Sequence, residues 1–156
     1  MNSFLITLVT FFTMEGITWL THRFVMHGFL WNLHEDHHNK DNAHFFEKND
    51  YFFVIFAIPS MLLIITGSVL PIYNYLLFIG LGIAAYGFAY FLVHEIFIHQ
   101  RFKIFTRSNN AYLRAIRKAH KMHHKHLNKE DGECFGMLCV PVKYFVEAIK
   151  YKRANE

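Results

Sequence analysis

Residues 51–93 read YFFVIFAIPSMLLIITGSVLPIYNYLLFIGLGIAAYGFAYFLV and contain no Lys, Arg, Asp, Glu or His. As α-helix, these 43 residues extend about 65 Å at 1.5 Å per residue, roughly two crossings of a bilayer core. The break falls in GSVLPIYN at residues 67–74, rich in turn formers. Residues 51–67 and 75–98 are therefore expected as a helical hairpin, with a kink at Pro59 and with Gly80, Gly82 and Gly87 allowing close helix approach. Neither arm shows a polar face, which argues against a soluble bundle core.

Outward on the N-terminal side, residues 3–21 carry a single charge, Glu15, and are long enough for one more crossing. No Lys or Arg precedes Arg23, so this segment reads as a retained helix and not as a cleaved signal peptide. All sixteen Lys and Arg then fall on one side of a three-crossing chain. The positive-inside rule puts that side in the cytoplasm and the N-terminus outside, in a bacterial inner membrane. This accounts for the net charge of +4 without nucleic acid, for which no recognition motif is present. Cys134 and Cys139 make neither a disulfide framework nor a CxxC knuckle and read as packing residues. Residues 109–126 form an amphipathic pattern suited to a helix lying on anionic headgroups. Residues 134–149, interrupted by Pro141, read as an interfacial or re-entrant segment. The fold expected is all-α: an integral membrane helical bundle with three crossings plus that segment, in a single domain over residues 1–156.

The hairpin is flanked by histidines in a doubled scheme. Before it stands HRFVMHGFLWNLHEDHH, with His22/His27 and then His34/His37/His38; after it stand HEIFIH, with His94/His99, and HKMHH, with His120/His123/His124. Ten of the twelve histidines thus follow H-x4-H, H-x2-H-H, twice over. His44 lies outside the scheme and reads as a solvated or locally bonded residue. On a helix the H-x2-H-H offsets stand at about 0°, −60° and +40°, so three imidazoles share one face. Offset 5 stands at about 140°, so in H-x4-H either the helix ends between the two histidines, at Gly28, or each reaches a different metal. Ten clustered imidazoles repel when protonated and need donors or metal when neutral, which points to two metal ions at the cytoplasmic membrane boundary. Imidazole suits Fe, Cu and Zn; two adjacent irons with open positions for O2 fit the ligand count best, and chemistry alone leaves copper and zinc open. Glu15, two turns before His22, and Glu35 and Glu95, beside ligands, are candidates to bond the far ring nitrogens. Phe29, Trp31, Phe88, Tyr90 and Phe91 are candidate walls of a substrate pocket.

These strings, with FEKND, AYGFAYFLVHEIFIHQRF and the C-F-G-M-L-x-x-P after the last box, resemble the fatty acid hydroxylase/sterol desaturase superfamily over about residues 10–141. Within it, the box lengths are most similar to the bacterial non-haem carotenoid ring hydroxylases, since fatty-acid and sterol members generally begin with H-x3-H. The resemblance implies a membrane diiron monooxygenase in carotenoid biosynthesis, using O2 and two electrons from ferredoxin and its reductase. Its implied reaction adds hydroxyl at carbon 3 of the β-ionone rings of β-carotene, giving β-cryptoxanthin and then zeaxanthin. Hydroxylation of fatty acyl chains or sterols is the alternative within the superfamily. A metal-handling membrane protein is the alternative outside catalysis, although the charge-free hairpin offers no polar path. A haem carrier needs only two to four facing histidines. The oligomeric state is not legible in the sequence.

Overall fold

A computed structural model describes residues 2–39, 45–130 and 132–154; His44 lies outside them. Among the described residues every regular element is helical. Helix α1 (Ser3–Leu20) continues without a break into a π-helical turn, Thr21–Phe29, followed by the short α2 (Trp31–His38). Helix α3 (Asp50–Val69) and helix α4 (Asn74–Phe91) form the hairpin, joined at Leu70 by a 3-10 turn, Pro71–Tyr73. Helix α4 in turn runs into a second π-helical stretch, Leu92–Ile98. Helices α5 (Ala111–His123) and α6 (Val142–Ala154) complete the chain. Three helices are long and apolar enough to cross a membrane: Ser3–Phe29, Asp50–Val69 and Pro71–Ile98. The protein is an all-helical membrane bundle.

Helix α4 is the centre of the bundle, packed by α3 on one side and α1 on the other. Small residues set these approaches. A Cβ added to Gly82 would lie 2.7 Å from the Thr7 carbonyl oxygen of α1, and the Thr7 hydroxyl donates to the Phe78 carbonyl at 3.1 Å. The Ser60 hydroxyl joins α3 to α4 through the Gly80 carbonyl at 2.8 Å. Gly87, expected at a close contact, has open space around it. Gly67 behaves differently from a helix-ending residue: α3 runs on to Val69, and Gly67 is a contact point at which a Cβ would sit 2.2 Å from the Leu77 backbone nitrogen. Backbone cannot yield as a side chain does, so Gly67→Ala is expected to push α3 and α4 apart, at a cost of about 1–3 kcal/mol. A lowered thermal midpoint of the detergent-solubilised protein is the readout; an unchanged midpoint would mean that the hairpin tolerates the wider spacing.

Two expectations about the C-terminal third are corrected. Helix α5 is amphipathic, but its apolar stripe is covered by protein. Ile116 is buried against Phe97, Ile98 and Met137, while Ala115 and Ala119 pack on Tyr144 and Ala148 of α6. Lys118 and Lys121 remain exposed on the outer face. Residues 134–149 are not one apolar segment either. Pro141 divides them into an irregular strap (132–141) and α6, because proline supplies no amide for a continuing helix. The strap lies over the end of the bundle, with Phe135 and Met137 buried beneath it.

Candidate metal centre

The ends of α1 and α4 and the start of α3 meet α2 and α5 at one end of the bundle, and all ten patterned histidines collect there. Eight of them are buried, among them His34, His37, His94 and His123 at about 1% exposure or less. One group joins His22, His27, His34, His38 and His123; a second joins His37, His94, His99 and His120; in each, the ligating atoms lie within 4.8 Å of one another. His124 completes the second group, its Nε2 2.9 Å from that of His120 and its ring 4.8 Å from those of His37 and His99. The groups touch where His38 and His124 stack at 4.4 Å.

Each H-x2-H-H box is therefore divided instead of converging as a triad. Offsets 0 and 4 stand about 40° apart and serve one group, whereas offset 3 stands about 100° from offset 4 and serves the other. His34 and His38 lie in the first group with His37 crossing to the second; His120 and His124 lie in the second with His123 crossing to the first. The H-x4-H pairs are also corrected. Neither pair is split between the two groups, and no helix end falls between the partners. The π-helical turns instead bond residue i+5 back to residue i, as His99 N does to the His94 carbonyl at 2.9 Å, and so bring offset 5 round to the same side. Gly28, at φ −112° and ψ −120°, breaks the helix just after His27.

The outer nitrogens identify the chemistry of the inner ones. His22 Nδ1 donates to the Phe135 carbonyl (3.0 Å), His27 Nδ1 to that of Lys129 (3.2 Å), His38 Nδ1 to that of His126 (2.9 Å) and His123 Nδ1 to that of Glu133 (2.8 Å). His34 Nδ1 donates to Asn49 Oδ1 (2.7 Å), His37 Nδ1 to Glu47 Oε2 (2.6 Å) and His94 Nδ1 to Glu95 Oε1 (2.5 Å). These partners only accept, so in all seven rings the proton sits on Nδ1 and Nε2 carries a bare lone pair. Those lone pairs point at one another: His22 to His34 at 3.1 Å, and His27 to His123 and His37 to His94 at 3.2 Å each. Facing lone pairs repel unless a cation lies among them, and anchored, outward-protonated imidazoles are the donor set of a metal site. Desolvation first, then repulsion from neighbouring imidazoles, holds His37 and His120 well below the ordinary histidine pKa, and desolvation likewise lowers His34, His38, His123 and His124.

Of the three acidic residues singled out from the sequence, Glu95 bonds a ring nitrogen. Glu35 is exposed on the outer face of α2. Glu15 bonds backbone and not a histidine. Its Oε1 accepts from the amides of Met137, Leu138 and Cys139 at 3.0, 2.9 and 2.8 Å, and its Oε2 accepts from the Tyr86 hydroxyl at 2.7 Å. The supports that sequence reading missed are Glu47, Asn49 and Arg101. The signal was present in the cluster of polar residues just before the charge-free run and in the arginine two places after His99. Two further supports are backbone. Cys134 at φ 61° and Gln100 at φ 53° are left-handed non-glycine residues, and each sits beside a support. Cys134 stands between the two carbonyls that hold His123 and His22, and Gln100 stands between His99 and Arg101. Of the aromatic residues, Trp31 packs on His27, His34 and His38 and Tyr90 on His94. Phe29 and Phe88 face outward, and Phe91 meets Phe102. Phe135, which was not anticipated, covers His22, His27 and His123.

The profile of the Fatty acid hydroxylase family matches residues 7–144. The chain is 41% identical over 139 residues to the beta-carotene hydroxylase of Pantoea ananas, covering 88% of this chain and 77% of that protein. It is 37% identical over 151 residues to the beta-carotene hydroxylase of Pseudescherichia vulneris, covering 96% and 83%. It is 36% identical over 124 residues to the chloroplastic beta-carotene 3-hydroxylase 2 of Arabidopsis thaliana, covering 77% and 39%. No solved structure matches the chain.

Proposed function

The chain belongs to the fatty acid hydroxylase family, and from that premise we propose that it is a membrane diiron monooxygenase that hydroxylates carbon 3 of the β-ionone rings of β-carotene. The products are β-cryptoxanthin and then zeaxanthin. The observation that carries the reading is two groups of five imidazoles, seven of the ten with Nε2 lone pairs directed inward, in a chain similar to beta-carotene hydroxylases over most of its length. The ten ligands are His22, His27, His34, His38 and His123 for one ion, and His37, His94, His99, His120 and His124 for the other.

Two irons with O2 supply the oxidant for an unactivated C–H bond, which no acid–base pair or serine nucleophile breaks. Each hydroxylation consumes one O2, two electrons and two protons, and releases one water. The chain's own residues set position and dryness. The seven outer-nitrogen bonds fix ring orientation and tautomer, and Trp31, Tyr90 and Phe135 cover the imidazoles from the sides. His22 and His94 stand near the ends of two membrane-crossing helices. A ring of a bilayer-dissolved polyene can reach that level while the rest of the molecule stays in lipid. Electrons come from ferredoxin and its reductase on the cytoplasmic side, the side of the sixteen Lys and Arg. The N-terminus is outside, the membrane is a bacterial inner membrane, and the whole chain acts as one domain.

The test is pigment chromatography of a β-carotene-producing bacterium expressing the chain. The intact protein is expected to give zeaxanthin and β-cryptoxanthin, and a His123→Ala control neither. Unchanged β-carotene with iron-loaded protein in the membrane would overturn the carotenoid assignment in favour of a fatty acyl or sterol substrate, of which the family name favours the first. Unchanged β-carotene with no iron bound would overturn the diiron reading itself.

A further inference from the structure

The two groups of imidazoles are equal in number but not in what stands behind them. All five rings of the first group donate from Nδ1 to neutral oxygens: the carbonyls of Phe135, Lys129, His126 and Glu133, and the Asn49 amide. In the second group His37 and His94, whose Nε2 atoms meet at 3.2 Å, both donate to carboxylates, Glu47 and Glu95. Behind these lies one guanidinium. Arg101 Nε is 2.9 Å from Glu95 Oε2, one terminal nitrogen is 3.0 Å from Asp50 Oδ1, and the other is 3.6 Å from Glu47 Oε2. Arg101 is largely buried, its side chain 12% exposed. The Arg101 guanidinium thus clamps three carboxylates, two of which accept from the Nδ1–H groups of His37 and His94. A carboxylate partner draws the Nδ1 proton away from the ring and makes Nε2 a stronger donor to metal than a carbonyl partner does.

We propose that the two metal positions are unequal. The ion held by His37, His94, His99, His120 and His124 is the more tightly bound and the harder to reduce, and Glu47, Glu95 and Arg101 are the positioning residues that make it so. This rests on the diiron reading and deepens it. The ion held by the carbonyl-backed group is then the first to accept an electron from the donor and the first to be lost to a chelator.

The experiment is Mössbauer spectroscopy of the full-length protein loaded with iron-57 in detergent, paired with chelator competition. Two components of equal area are expected from the unaltered protein. Glu47→Gln is expected to shift only one, and Asn49→Ala, which removes the partner of His34, only the other. Glu47→Gln should also weaken retention of its own ion roughly 10–100-fold, the usual effect of losing an outer partner. Arg101→Lys keeps both carboxylates and loosens the clamp, so it should move the same component as Glu47→Gln and serves if that variant fails to fold. One component in the unaltered protein, or Glu47→Gln and Asn49→Ala acting on the same component, would overturn the inequality while leaving diiron binding intact. A protein that binds no iron would overturn the diiron reading and the inequality with it.

Discussion

Replacing His37 by alanine is expected to abolish hydroxylation while leaving the three crossings in the membrane. His37 is the histidine of the first box that crosses to the second group. Its Nε2 meets that of His94 at 3.2 Å, and its ring lies 4.3 Å from that of His99 and 4.8 Å from that of His124. The other two histidines of α2, His34 and His38, belong to the first group. The substitution also removes the imidazole that donates to Glu47, and losing a hydrogen bond to a charged group costs about 1.5–3 kcal/mol. The hairpin and α1 are held by their own apolar contacts and glycine approaches, remote from this position, so insertion should persist. His123→Ala is the mirror experiment on the first group. Chromatography of products and membrane fractionation together check the pair. Wild-type product levels from either variant would show that these residues are not ligands.

The second large effect is expected at a residue that touches no histidine. Glu15→Ala removes the acceptor of three consecutive backbone amides and of the Tyr86 hydroxyl. These bonds tie α1 to the strap and to α4 across 122 residues of sequence in the case of Met137. A stranded donor shielded from water costs about 1–3 kcal/mol, and those of Met137, Leu138 and Tyr86 are part-buried, so the sum is expected to reach about 3 kcal/mol or more. The loss should spread to the metal centre, because the strap also supplies the Phe135 and Glu133 carbonyls that hold His22 and His123. Glu15→Gln keeps an oxygen for the three amides and should be much milder. Thermal unfolding in detergent together with iron content reads both effects. An alanine variant that melts with the wild type and keeps its iron would show that the strap is held by its apolar contacts alone.

The hairpin was legible because a run without charge over residues 51–93 has few solutions besides crossing a bilayer. The histidines were legible as a doubled pattern, and their number matched two groups of five. The division between groups was not legible, because it depends on π-helical winding at Thr21–Phe29 and Leu92–Ile98 and on which neighbour offset 3 of each box faces. Glu15 stood out as an intramembrane acid, yet its partners are amides far along the chain, and nothing local announces them. The apolar stripe of α5 was legible as a stripe. What covers it, Phe97, Met137 and α6, is a matter of tertiary packing. Glu47 and Asn49 stood in the string FEKND, which the sequence offers with no partner attached, and only the folded arrangement turns them toward His37 and His34.

The most direct measurement is the iron content of the purified full-length protein, by elemental analysis against protein concentration. Two irons per chain, falling to about one in His37→Ala and in His123→Ala, is the result expected of two five-imidazole positions that share their boxes. One iron or none in the unaltered protein, or a content indifferent to both substitutions, would contradict it.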